Sequence, residues 1–165
     1  MKKIRTLVST LLICSLALSI AACGGKVTAK TSDEVKDACV KAGFKEDEVI
    51  TNTTDEEEML YAETQSVIVL YSKSDAAKDY FDEMYKDAEE SLKDKDSFDG
   101  DYKLKEGTYV IFDGTSKDPT GQLSDQYMYG GYYYVDGTFI SAFSIDKDGV
   151  DMVKKVLDAL GYPKI

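Results

Sequence analysis

Apolar residues in three segments of the chain recur every three to four positions, the spacing that places them on one face of an α-helix. The first segment follows Thr31 and Glu34, which have the spacing of a capping box, and it ends at Gly43-Phe44. The other two segments cover about residues 75–92, with Ser74 as the N-cap, and about residues 149–160. The sequence therefore predicts three amphipathic helices.

Shorter apolar runs, rich in β-branched and aromatic residues, predict strands. These runs lie at residues 49–51, 66–72, 107–112, 127–135 and 138–145. The run at 66–72 contains no helix or strand breaker, as expected of a central strand. Asp136-Gly137 separates the last two runs, and this pair is typical of a type I′ hairpin turn.

Two polar segments complete the pattern. In residues 54–62, Thr54 and Glu57 again have the spacing of a capping box, which favours a short helix, although residues 59–62 also suit an extended strand. We favour the helix. Residues 93–101 and 113–126 contain charges and glycines and are predicted to be loops.

The order of these elements is α, β, short α, β, α, β, β, β, α. Such an order predicts an α+β fold, with an antiparallel sheet of about four to five strands and helices packed on one face. The length of the chain, 165 residues, favours one domain, which we place at residues 32–165.

The N-terminus has the features of an export signal. Lys2, Lys3 and Arg5 are followed by an apolar run at residues 6–20, which is short for a permanent membrane span. Ile20-Ala21-Ala22-Cys23 then resembles the lipobox of bacterial lipoproteins, in which cleavage falls before the cysteine and its thiol is linked to diacylglycerol. The alternative is an ordinary secretory signal with a chance cysteine.

The lipobox resemblance implies a location. Residues 1–22 are expected to be cleaved, and residues 23–31 to form an acylated Cys23 with a short tether, so that the protein is a lipoprotein on the extracytoplasmic face of the cell membrane. The order of elements, with its Leu160-Gly161-Tyr162 helix stop, is similar to small lipoproteins of Gram-positive-type envelopes. This second resemblance implies location and architecture but no activity.

Cysteine usage follows from the same prediction. Cys14 leaves with the signal and Cys23 is acylated, so Cys39 is the one thiol of the expected mature domain and no intrachain disulfide forms. Cys39 lies on the apolar stripe of the first helix, which favours a buried structural thiol over a redox role.

Composition excludes several classes of function. The chain contains no His and no Trp, and Arg5 is its only arginine, which disfavours His-dependent hydrolases, His-ligated metalloenzymes and arginine-based phosphate binders. Without Lys2, Lys3 and Arg5, 17 basic residues face 31 acidic ones, a formal net charge of about −14. Nucleic acid is therefore not an expected partner. No cofactor is predicted.

Tyrosines form the main candidate site. Five of them lie within eight residues: Tyr127, Tyr129, Tyr132, Tyr133 and Tyr134. In a strand, Tyr132 and Tyr134 share one face and Tyr133 lies on the other. If helices cover only one face, one set is exposed, and Tyr127, Tyr129, Tyr132 and Tyr134 would form a platform for an envelope glycan or a membrane-protein partner. The alternative is that they fill cross-strand pairs in the core. Gly130-Gly131 indicates a bulge or a close backbone approach.

Candidate metal and catalytic groups are weaker. Asp94, Asp96, Asp99 and Asp101 could offer oxygens to Ca²⁺, but their spacing is not that of an EF-hand, and an EF-hand register around residues 146–149 would put Lys155 in the bidentate position. Solvated turn acids are the preferred interpretation, and no metal site is predicted. Ser72-Lys73-Ser74 would need a desolvated lysine for catalysis, which the sequence does not indicate.

Together these observations predict a lipid-anchored extracytoplasmic binding or accessory domain without catalytic activity. The alternatives are a lipoprotein that binds a small molecule or a cation and, less favoured, a hydrolase. The membrane, through the lipid anchor, and an envelope component are the expected partners.

Overall fold

Seven strands form one sheet in which every pair of neighbours is antiparallel. The computed structural model describes residues 26–117 and 124–165, so the predicted signal peptide, Cys23 and part of the predicted loop at 113–126 lie outside the described residues. The elements are α1 (Ser32–Ala42), β1 (Val49–Thr53), β2 (Glu58–Glu63), β3 (Val67–Lys73), α2 (Ala77–Lys93), β4 (Phe98–Lys105), β5 (Tyr109–Ser116), β6 (Gln126–Val135), β7 (Thr138–Ser144) and α3 (Val150–Leu160), with a 3₁₀ turn at Glu46–Glu48. The strand order is β1-β2-β3-β7-β6-β5-β4.

The α+β class is confirmed, but the expected number of four to five strands is wrong. The segment that forms β2 was predicted to be a short helix, and part of the segment that forms β4 was predicted to be a loop. The Thr54–Glu57 spacing closes a hairpin turn instead of starting a helix: the Thr54 N–H donates to the Glu57 carbonyl at 2.8 Å, and the Glu57 N–H donates to the Thr54 hydroxyl at 3.1 Å. β4 is an edge strand in which only Phe98 is buried. Its sequence, FDGDYKLK, does alternate uncharged with charged residues, but the charges and Gly100 favoured a loop over residues 93–101.

The expectation that all helices pack on one face is also wrong. α1 and α3 pack on each other and cover one face of the sheet, whereas α2 packs on the opposite face against β4 to β7. The cause is that the central strands are apolar on both faces. In β7, Ile140 and Ala142 belong to the core under α1 and α3, while Phe139 packs with Phe81 of α2.

Local signals at the helix ends give mixed outcomes. The capping box of Thr31 and Glu34 is present, and Gly43 ends α1 with its N–H and that of Phe44 both bonded to the Cys39 carbonyl. Ser74 is not the N-cap of α2. The N-cap is Ala76, which has no side-chain capping bond, and the Ser74 carbonyl accepts the Ala77 N–H at 3.2 Å.

The β6–β7 turn and the thiol agree with the sequence. Asp136 and Gly137 both have positive φ, 47° and 74°, as a type I′ turn requires. Cys39 is buried between the sheet and α3, and desolvation raises the pKa of its thiol to about 12. The thiolate needed for redox or metal chemistry is therefore disfavoured, in agreement with a structural role.

Candidate binding site

The tyrosines of β6 alternate between the two faces of the sheet, as their spacing predicts. Tyr129 and Tyr133 belong to the core under α1 and α3, where they are 1% and 0% exposed. Their hydroxyls donate to the carbonyls of Ile165 at 3.3 Å and Pro163 at 2.8 Å. Tyr129 is thus a core residue, and its assignment to an exposed platform is wrong.

Two of the platform tyrosines, Tyr132 and Tyr134, lie on the opposite face of the sheet, under α2. Tyr132 is partly buried and contacts the Phe112 ring with 5.7 Å between centroids, and burial raises its pKa to about 12. Tyr134 packs on Phe81 at 5.7 Å, and its hydroxyl accepts the N–H of Gly137 at 3.2 Å. The flat exposed surface expected at these positions is therefore not formed, because a helix covers it.

Tyr127, near the start of β6, is half-buried. Its hydroxyl donates to Asp113. Burial is the larger cause, and this hydrogen bond the second, of the rise of the Tyr127 pKa to about 12. The Lys147 ammonium lies 5.4 Å from the centre of its ring, a cation–π contact. The Tyr127 side chain thus has partners on both its ring and its hydroxyl.

Gly130 explains how β6 fits between its neighbours. A Cβ at this position would lie 2.1 Å from the Ala142 carbonyl oxygen and 2.6 Å from the Phe143 Cα, and its φ is +139°. Residue pairing with both neighbouring strands continues through Gly130 without interruption. Of the two structures that Gly130-Gly131 indicated, the close backbone approach is the one present.

A small cavity lies between the C-terminal half of α2 and strands β4 to β6. Its volume is about 240 Å³, and we call it the α2 groove. It is lined by the apolar side chains of Met84, Ala88, Leu92, Phe98, Phe112, Met128 and Tyr132, with Asp87, Ser91, Ser97 and Ser116 as polar members. Tyr132 is therefore a platform tyrosine that borders the α2 groove.

A second surface is the part of the sheet that α2 leaves uncovered. α2 packs on β4 to β7, so the same side of β1 and β2 is largely exposed, while on β3 Leu70 packs partly against the cluster around Phe81 and Ser72 is buried. We call this surface the open face; its apolar members are the exposed Ile50 and Tyr61 and the partly buried Met59, Ile68 and Leu70. Ile50 is 62% exposed and Tyr61 37% exposed, and the two are direct cross-strand partners.

The open face carries little charge. Its side chains come from alternate positions of β1, β2 and β3, strands that are described in full, and among these positions Glu63 is the only ionisable acid or base apart from Tyr61. The carboxylate of Glu63 accepts the hydroxyl of Tyr61. Sequence reasoning missed this surface because it interpreted β2 as a helix; the signal available was the run of apolar residues at 59–62, which also suits an extended strand.

Acidic side chains surround one end of the sheet. An open depression of about 890 Å³ is lined by Asp55, Glu56, Glu57, Glu58, Asp75 and Asp136, with Lys73 as its basic member. Ser72, a member of the Ser-Lys-Ser candidate, donates to Glu57 at 2.9 Å, and Lys73 is exposed. Within residues 26–117 and 124–165, no group of three or more potential ligands is placed to hold a metal.

The remaining candidate acids lie in turns or on β4. Asp94 accepts the Asp96 N–H at 3.0 Å and the Ser97 hydroxyl at 2.7 Å, and these bonds lower its pKa. Asp99 lies on β4, within 3.5 Å of the Lys117 ammonium. Asp146 accepts the Ser66 hydroxyl at 2.7 Å and two N–H groups at the start of α3. The acids of residues 94–101 are thus divided between a turn and an edge strand.

Comparison of the chain with protein-family models, curated proteins and solved structures finds no match. In the part of the chain that the structure describes, none of the helices has the length and hydropathy needed to span a bilayer. The fold and its surfaces are therefore the basis for a functional conclusion.

Proposed function

We propose that this protein is a lipid-anchored, extracytoplasmic accessory domain that binds a partner protein in the cell envelope and carries out no catalysis itself. The observation that supports this proposal is the open face, where Ile50 and Tyr61 stand exposed beside each other. An uncovered apolar sheet surface is typical of a protein-binding site.

The composition of the open face favours a protein partner over a small molecule. Of the whole chain, 31% of residues are charged, yet the strand positions of the open face include one carboxylate, that of Glu63, and the Glu57 carboxylate at its border is bonded to Ser72, so little desolvation of charge opposes association. Complete burial of an isoleucine side chain is worth about 1.5–3 kcal/mol, and Ile50, being 62% exposed, retains about 1–2 kcal/mol of that gain for a partner.

The N-terminal segment would hold the domain near the bilayer. Val27 is buried, and the Thr28 carbonyl accepts the Tyr162 hydroxyl at 2.8 Å, so the chain is already packed on the domain at these residues. From an acylated Cys23 to Val27, four residues reach at most about 14 Å. A partner of the open face would therefore be a membrane protein or another molecule at the membrane surface.

Site-specific crosslinking tests the binding surface. We would replace Tyr61 by the photoreactive p-benzoylphenylalanine in intact cells and use Tyr102 on β4 as the matched control, because the two tyrosines are 37% and 40% exposed. A discrete adduct is expected from position 61 but not from position 102, and Ile50→Asp should abolish it. Equal adduct patterns at both positions, or none at position 61, would refute the proposal.

The anchor is tested separately. Cys23→Ala should leave the chain without incorporated radiolabelled palmitate and release it from the membrane fraction, because the acylated thiol is lost. Label incorporation equal to that of the unchanged chain would contradict the anchor while leaving the binding surface standing.

A second candidate function is the binding of a small apolar molecule in the α2 groove, which is favoured by its largely apolar lining with a few serine hydroxyls. A neutral fluorescent probe, N-phenyl-1-naphthylamine, should bind there, and Ala88→Leu, which fills the groove, should abolish the fluorescence gain. Unchanged fluorescence with Ala88→Leu would exclude this site.

A further inference from the structure

The two edges of the sheet differ in how they are protected. β4, at one edge, carries alternating charges at Asp99, Asp101, Lys103 and Lys105. β1, at the other edge, has the sequence VITNT and no charge. In natural proteins, charged side chains on an edge strand discourage pairing with another chain. The charges of β4 therefore oppose such pairing, whereas β1 has no charged side chain to oppose it.

β1 offers backbone groups to a further strand. Its hairpin is closed by the bond from the Thr54 N–H to the Glu57 carbonyl, and hydrogen-bonded pairs alternate along an antiparallel ladder. Ile50 and Asn52 therefore bond to β2, whereas Thr51 and Thr53 turn their N–H and carbonyl groups outward. Residues 50–53 are all exposed.

Acidic residues stand at both ends of this edge. Glu46, Asp47 and Glu48 precede β1, and Asp55, Glu56 and Glu57 follow it. Lys45 pairs with Glu48 at 3.2 Å at the first end, and Lys73 lines the depression that contains the acids of the second end, so acids outnumber bases at both ends. Two copies of β1 pairing with each other would bring acidic ends together in either orientation, and like charges there oppose self-association.

We propose that β1 binds an extended segment of the partner protein by strand addition, and that this segment has about five uncharged, β-favouring residues flanked at both ends by lysine or arginine. This inference rests on the proposed function, since a strand added beside Ile50 extends the open face. Backbone hydrogen bonds supply affinity, and the basic flanks supply selectivity and dependence on salt.

Peptide binding tests the inference with the full protein in a nonionic detergent. The probe is a fluorescein-labelled peptide, Lys-Lys-Thr-Val-Thr-Val-Thr-Lys-Lys, followed by anisotropy. It should bind at least tenfold more tightly than the same core flanked by glutamates. A version in which every backbone nitrogen of the Thr-Val-Thr-Val-Thr core is N-methylated keeps its charge but loses the core donors on both of its edges, and it should bind at least tenfold more weakly. Equal affinity of the N-methylated peptide would show charge attraction alone and overturn the inference.

Matched proline variants test the edge itself. Thr51→Pro removes an outward N–H from β1, and Tyr102→Pro does the same on β4, where the bond from the Lys117 N–H to the Ser97 carbonyl sets the alternation. Peptide affinity should fall at least tenfold in Thr51→Pro and stay within twofold in Tyr102→Pro, with circular dichroism confirming folding. Equal losses in both folded variants would overturn the inference, and if either variant is unfolded the N-methylated peptide decides.

The outcomes also separate this inference from the proposed function. If the peptide does not bind but the Tyr61 adduct persists, strand addition at β1 is refuted and partner binding by the open face stands. Absence of the Tyr61 adduct would remove the proposed function whatever the peptide does.

Discussion

Gly130 is a position in the middle of the sheet at which one added methyl group should have a large effect. A Cβ there would lie 2.1 Å from the Ala142 carbonyl oxygen and 2.8 Å from the Phe143 Cβ. Both neighbours are held in the β6–β7 ladder, so they cannot rotate away as the end of a flexible side chain would. The φ of +139° adds a second cost for any residue with a side chain.

The two costs can be separated. A φ of +139° lies outside the left-handed helical region and costs an L-residue about 1–3 kcal/mol. Forcing additional atoms into a packed region typically costs about 1–3 kcal/mol more, so Gly130→Ala should lower the free energy of unfolding by roughly 2–6 kcal/mol. Gly107 is the matched control, because its φ is +63° and a Cβ there would have no atom within 4 Å. Gly107→Ala should therefore cost only about 1–2 kcal/mol.

Urea unfolding of both variants, followed by far-UV circular dichroism, measures these free energies. The expected result is that Gly130→Ala is less stable than Gly107→Ala by at least about 1 kcal/mol, because only the alanine at position 130 overlaps neighbouring atoms. If the two variants were equally stable, the close approach of β6 to β7 would not be the reason for glycine at position 130.

Three further outcomes follow from the core and the turns. Phe81→Ala should lower the free energy of unfolding by about 3–5 kcal/mol in the same urea assay, because the fully buried ring of Phe81 leaves a cavity between α2 and the sheet; a loss below about 1 kcal/mol would contradict that packing. Cys39, with its pKa raised to about 12 by burial, should not react with a thiol reagent at pH 8 until urea unfolds the protein, and immediate labelling of the native state would count against its burial. The pKa of Asp146 is lowered, mainly by the Ser66 hydroxyl, so its stabilising contribution is present above the unfolded pKa of about 3.9 and is lost as the pH falls through the lower folded pKa. Asp146→Asn should therefore lower the melting temperature at pH 6 more than at pH 2.5, and an equal change at both pH values would exclude this linkage.

Local sequence signals predicted the parts of the fold that depend on neighbours in the chain. The Thr31–Glu34 capping box, the Gly43 helix end and the Asp136-Gly137 turn are all present because each involves contacts within a few residues. Thr54 and Glu57 show the limit of such signals. The same threonine–glutamate spacing satisfies the backbone of a tight hairpin as well as that of a helix, and only the pairing of β2 with β3 selects the hairpin.

The candidate site depended on contacts that are distant in the sequence. Alternation placed Tyr132 and Tyr133 on opposite faces correctly, since that follows from strand geometry alone. Whether Tyr132 is covered depends on the face of the sheet on which α2 packs, and the sequence of β6 does not indicate that face. The open face exists because α2 covers β4 to β7 and leaves the same side of β1 and β2 largely exposed, a choice of position that involves contacts distant in the sequence.

The hydrogen bond between Tyr162 and Thr28 joins residues 134 positions apart, at opposite ends of the chain. A mechanical load applied at the N-terminal end would reach this bond and the buried Val27 side chain before it could unwind α1. The hydrogen bond from Tyr162, in the segment after α3, is therefore expected to be the first contact that resists a pulling force on the N-terminal end. In a pulling experiment, Tyr162→Phe should lower the force of the earliest unfolding event while leaving the later rupture of the sheet unchanged.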